Sequence, residues 1–157
     1  MKTLIFLTIG LLTSCSITDE THDITSDYSK SFVLPQGYHL GRTYILQKDL
    51  MVTVDSGRSE GSFCKPGDSV PTVEQWNAGI RRTTAETTVA MVPAGSRLRV
   101  AKIFHILAKG SGVTQATGML QAEGVDVLIN PFAVSHFMDG PPYGTLCMPN
   151  SEFLLEE

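Results

Sequence analysis

The sequence predicts a mainly β protein, a small barrel or sandwich of about seven short strands with one short helix. Three observations lead there. Segments of alternating or β-branched character recur at close spacing along the chain. Clusters of Gly, Pro, Asn, Asp and Ser separate them. Inside the folded part there is a single strong helix start, the capping box Thr72-Val73-Glu74-Gln75 after Pro71.

Taken in order, Arg42 to Leu46 reads as a strand, and Leu50 to Val54 as its neighbour, joined through Gln47-Lys48-Asp49. A Gly/Ser/Pro-rich loop runs from Asp55 to Pro71. The capped helix carries Trp76 and ends at Gly79; Val73, Trp76 and Ala78 or Ile80 are placed to cover one end of a sheet. Thr87 to Val92, the turn Pro93-Ala94-Gly95-Ser96, and Arg97 to Leu107 make the clearest hairpin signal, because Pro presets the first corner and Gly tolerates positive φ. Val113 to Gln121 and Gly124 to Ile129 form a further pair. Asn130-Pro131 turns, Phe132 to Phe137 extends, residues 139–144 form a loop, and Ser151 starts a terminal helical turn.

The chain opens with Lys2 and the apolar run Leu4 to Leu12. One positive charge, a short apolar core and small residues after it are the parts of a secretory signal peptide. The run is too short to span a hydrocarbon core, which takes roughly 20 residues. Leu12-Thr13-Ser14-Cys15 resembles the lipobox of bacterial lipoproteins. The resemblance implies cleavage before Cys15 and acylation of that cysteine, and Ser16 after it implies the outer membrane, facing the periplasm, in a Gram-negative host. Each buried methylene adds about 0.8 kcal/mol of membrane affinity, so several chains make a lasting anchor. The expected organisation is therefore a signal peptide over 1–14, a lipidated Cys15 with a flexible acidic tether over 15–30, and a β-rich domain over 31–157. The tether reading rests on composition: Asp19, Glu20, Asp23 and Asp27 stand against one Lys30, too polar to offset ordering entropy.

Twelve basic residues face sixteen acidic ones, a formal net charge of −4. No basic block for nucleic acid is present, and no cofactor motif. Two cysteines remain after Cys15. In an oxidising compartment Cys64 and Cys147 are expected to form a disulfide. It would close a loop of roughly eighty residues, a constraint of order 4 kcal/mol in the chain-entropy account.

Candidate chemistry is sparse. Gly57-Arg58-Ser59-Glu60-Gly61 fits the G-x-S-x-G nucleophile elbow, with Asp126 and His136 following in hydrolase order, but Pro66 and Gly67 stand where a helix should begin. Ser135 and His136 adjoin on a strand, so they point to opposite faces. His105 sits in an apolar strand; His39 has no partner at metal spacing, so no metal site is expected. The basic feature is more promising. Arg97 and Arg99 share one face of the long strand, and Arg81 and Arg82 precede it, a set suited to carboxylates because the guanidinium fork pairs with them. Tyr143, after Pro141-Pro142, is a rigid aromatic suited to an interface. The expected function is a non-enzymatic, membrane-anchored envelope lipoprotein whose β domain binds an envelope or secretion-system protein. The alternative is a module for cell-wall glycan or a small ligand, or an inhibitor of a wall hydrolase.

Overall fold

The computed structural model describes residues 20–26, 37–67, 69–82, 86–108, 113–139 and 145–157. Residues 1–14, expected to be a signal peptide, and Cys15 and Tyr143 lie outside the described residues. Among the described residues the fold is mainly β with little helix. Among the described residues eleven strands share one sheet: β1 (Glu20–Asp23), β2 (Thr43–Leu46), β3 (Leu50–Asp55), β4 (Gly61–Cys64), β5 (Glu86–Val92), β6 (Arg97–Ala108), β7 (Val113–Ala122), β8 (Ile129–Asn130), β9 (Ser135–Asp139), β10 (Thr145–Pro149) and β11 (Leu154–Glu156). The helix α1 (Val73–Asn77) follows β4, and a 3-10 turn spans Phe132–Val134.

The strand order is β11-β2-β6-β7-β8-β4-β3-β5, with β1 added to β6, and β10 joining β7 to β9. Residues from nearly the whole path meet in one core: Tyr44 and Leu46 of β2, Val52 of β3, Phe63 of β4, Val92 of β5, Leu98 and Ile103 of β6, Leu120 of β7, Ile129 of β8, Cys147 of β10 and Leu154 of β11. A sheet whose distant strands share a core has folded over on itself, as the sequence reading required. Tyr38, almost wholly buried, lies across Gly118 of β7; a Cβ there would meet Tyr38 Cβ at 2.5 Å and Cγ at 2.8 Å. Tyr38 also packs edge-on to Tyr44, centroids 5.7 Å apart, and its hydroxyl lies 2.7 Å from Ser135 Oγ.

Pairing departs from the local reading in several places. The segment Pro93 to Ser96 does turn, with Ser96 N–H donating to Pro93 O and Gly95 at φ +87°. Yet β5 and β6 share no ladder. Leu46 takes the turn's polar groups instead: Gly95 N–H donates to Leu46 O, Leu46 N–H to Ser96 O, and Asp49 Oδ1 accepts from Ala94 N–H. The flanking strands diverge, β5 onto β3 and β6 onto β2 and β7. For the same reason β2 and β3 are not partners. The long hairpin is β6–β7, paired from Leu98↔Ala122 to Ala108↔Val113.

Four strands arise where none was expected. Gly61–Cys64 (β4) forms inside the supposed loop because Phe63 is drawn into the core. β10 follows the loop of residues 139–144. The C-terminal segment turns at 151–153 and then pairs with β2 as β11, burying Phe153 and Leu154, so it is a strand rather than the expected helical turn. β1 lies within the stretch assigned to the tether. Its reason is an open position on β6: β2 covers only Arg97 to Arg99 on that side, and β1 fills the edge from Phe104 to Leu107. In exchange, the expected strand 124–129 contracts to a turn and β8, which meets β7 only at Leu120↔Ile129, and Phe132–Val134 is 3-10 before β9 begins. Helix α1 has the expected capping box: Thr72 Oγ1 accepts from Gln75 N–H, and Gln75 Oε1 from Thr72 N–H. With no buried residue it does not seal a sheet end.

Candidate functional site: the arginine at the bulge of β6

Strand β6 alternates cleanly at first, with Leu98 and Val100 inward and Arg97 and Arg99 outward. Strict alternation would next bury Lys102. A β-bulge prevents this: Val100 faces Leu120 and Lys102 faces Met119, so Ala101 is the extra residue. After it Ile103 points inward and Lys102 outward. Beside the bulge the chain at Gly41 and Arg42 closes on β6, with Gly41 N–H donating to Val100 O and Val100 N–H to Arg42 O, both at 2.9 Å. The bulge and this segment enclose an open-mouthed hollow of about 310 Å³ lined by Leu40, Gly41, Arg99, Val100, Ala101 and Gln121.

Along β6 the ion pairs distinguish Arg99 from Arg97 and Lys102. Arg97 pairs with Glu157, Arg42 with Glu156 at 3.2 Å and Lys48 with Glu152, all acids at the C-terminal end. Arg58 and Lys102 pair with Asp55 and Asp23. Arg99 forms no ion pair among the described residues. Its outward neighbours across the ladders are Thr43 and Gln121. The Gln121 amide is spoken for through its Nε2, which donates to the Val125 and Ala122 carbonyls. The rim of the hollow thus offers a guanidinium next to Leu40, an aliphatic side chain that is 43% exposed.

The four arginines read together from sequence have different surroundings. Arg81 stacks on Trp76, 3.5 Å from the ring centroid, and donates to the Trp76 and Ile80 carbonyls. Arg82 forms a backbone bridge to Thr87 of β5, which stands at the other end of the strand order from β2 and β6.

The hydrolase constellation is not assembled. Ser59 is exposed in the turn between β3 and β4, and its Oγ donates to Glu60 Oε2 at 2.9 Å. A strand follows it instead of a helix, and among the described residues it makes no hydrogen bond to Asp126 or His136. Among the described residues no disulfide bond joins the two cysteines. Cys64 is half-buried with its sulfur 3.4 Å from Thr53 Oγ1, and Cys147 is fully buried opposite Phe137. Among the described residues no group of three or more His, Cys, Asp or Glu could hold a metal.

Sequence reasoning missed two features. Leu40 and Gln121 carry no motif; Gln121 meets Arg99 across the β6–β7 ladder, and Leu40 lines the same hollow. Phe132 and Phe137 pack at 4.8 Å, both substantially exposed, where β9 pairs only with β10 among the described residues. Compared with protein-family models, curated proteins and solved structures, the chain matches none.

Proposed function

We propose that this chain is a membrane-anchored envelope lipoprotein, held by lipid on Cys15, whose β domain binds another envelope protein and carries no catalytic activity of its own. The observation that carries the binding reading is Arg99, a cation that forms no ion pair among the described residues, on the rim of a hollow with an aliphatic lip. A guanidinium in such a place gains most from an incoming carboxylate, because the fork makes two parallel charge-assisted hydrogen bonds. The aliphatic lip at Leu40 favours a partner that presents an apolar group next to that carboxylate, as the side chains of a protein surface do. The lipobox supplies the address, and the surface it selects from is that of the cell envelope.

The test is in-cell crosslinking of the natively anchored protein, with mass spectrometry of what copurifies. Wild type and Arg97→Glu are expected to recover the same envelope protein, and Arg99→Glu to lose it. Loss with neither substitution would discard the arginine site. No recurrent protein, with saturable binding of purified wall fragments, would transfer the hollow to a glycan carboxylate.

A further inference from the structure

We propose that strand β1 holds the β6–β7 end of the domain against the phospholipid surface and turns the Arg99 hollow away from it. The inference rests on the anchor at Cys15 proposed above.

The covalent chain sets the first limit. Five residue steps separate Cys15 from Glu20, and a fully extended chain spans at most about 3.6 Å per residue, so β1 begins within about 18 Å of the lipidated cysteine. The register sets the second. β1 runs antiparallel to β6 with Glu20 opposite Leu107 and Asp23 opposite Phe104. The leash therefore enters the sheet next to Ala108, which pairs with Val113 where β6 gives way to β7. The ends of β9 and β10 lie there too, since Asp139 faces Thr145 and Thr145 lies beside Gln115.

The attachment is more than a backbone ladder. Ile24 N–H donates to Ile103 O at 3.0 Å, Ile103 N–H donates to Thr25 Oγ1 at 3.0 Å, Lys102 Nζ reaches Asp23 Oδ2 at 2.9 Å, and Ile24 packs against the core. Arg99 stands eight residues before Leu107 on the same strand. At about 3.4 Å per residue that places it roughly 27 Å along β6 from the leash. A tether running to residue 30 would let the domain swivel freely; one ending at Glu20 presents a fixed end to the bilayer and leaves the opposite end open to a partner. The occupant of the near end is the bilayer itself, because the leash terminates in lipid.

The test uses the full lipidated protein in phosphatidylethanolamine–phosphatidylglycerol vesicles carrying an acceptor dye on the headgroups. An azide-bearing amino acid, clicked to a donor dye, is placed at Ala108 or Met138 at the near end, and at Ala94 or Glu123 at the far end. Circular dichroism confirms the fold of each variant, and two sites per end guard against loss of one. Energy transfer from the near pair is expected to exceed that from the far pair, since about 27 Å of strand separates the two ends. Inserting a flexible Gly/Ser segment between Ser16 and Ile17 is expected to remove the difference. Equal transfer from both ends, in protein that floats with the vesicles, overturns the orientation and leaves the anchor standing. Unchanged flotation of Cys15→Ser overturns the anchor, and the orientation with it.

Discussion

Gly118 and Tyr38 show how a single missing side chain sets the centre of the molecule. The Tyr38 ring occupies the space a Cβ would need, and Val100 Cγ1 lies 3.2 Å from the same point. Gly118→Ala must therefore displace a ring packed on Tyr44 and bonded through its hydroxyl to Ser135, at a cost of about 1–3 kcal/mol. Urea unfolding is the measurement: the midpoint should fall with m unchanged, whereas Gly95→Ala acts only through its positive φ in an exposed turn. Burial pushes the Tyr38 phenol well above its ordinary range, so it stays a neutral hydrogen-bonding group at any working pH. The cysteines make a second residue-scale expectation. With Cys64 half-buried and Cys147 at 0% exposure, native alkylation without reductant should modify Cys64 first and Cys147 only on unfolding. Resistance of both until a reductant is added would restore the bridge expected from the cysteine count.

Among the elements, β1 has an attachment that depends on pH. Hydrogen bonds from Thr25, and next from the Lys102 ammonium, hold the Asp23 carboxyl down at about 2 against an ordinary 3.8. A carboxyl depressed by folding contributes stability that is fully present above 3.8 and is lost as pH falls toward 2. Across the ladder His22 faces His105, whose pKa lies below the usual 6.5, chiefly through burial and then through the neighbouring His22. An imidazole depressed by folding favours the folded state above 6.5 and withdraws that support as pH falls below it. Amide protection at Glu20 to Ile24, corrected for intrinsic exchange, should therefore weaken in acid in two stages, with Asp23→Asn removing the lower one. An unchanged profile from pH 8 to 3 would detach these groups from the strand's stability.

The same scale shows what the amino-acid order revealed and what it hid. The alternation Leu98-Arg99-Val100 announces β6, and Thr72 with Gln75 announces α1, because both signals are local. β1 was hidden because Glu20 to Asp23 is polar; its stability comes from an empty edge on a strand eighty-odd positions later, a cost in loop closure that composition does not display. The hairpin at Pro93 to Ser96 misled because a turn sequence fixes the bend but not the partners, and Leu46 outcompeted β5 and β6 for each other. The arginine face was half legible. Its outward placement follows from period two, whereas Arg97 was neutralised by Glu157 and Arg99 was not, a distinction made only when β11 docks on β2.

For the whole molecule, the strand order places the position where β1 joins and the proposed binding hollow on one continuous strand. β6 receives β1 at one end and the Gly41 segment at the other, so the strand that meets the tether is also the strand that presents Arg99. The same arrangement has a consequence for self-association. From Phe104 to Leu107 the outer side of β6 is covered by β1. A chain shortened to begin at residue 37 would leave those N–H and C=O groups as an open template in a largely apolar strand, a shape that recruits a second copy by edge-to-edge pairing. Light scattering on such a shortened chain should show dimers or larger aggregates at concentrations where the longer chain is monomeric, and Ile106→Lys should suppress them. The four residues that read as part of a leash would then be, in folding terms, the gatekeeper that keeps this sheet from growing into its neighbour.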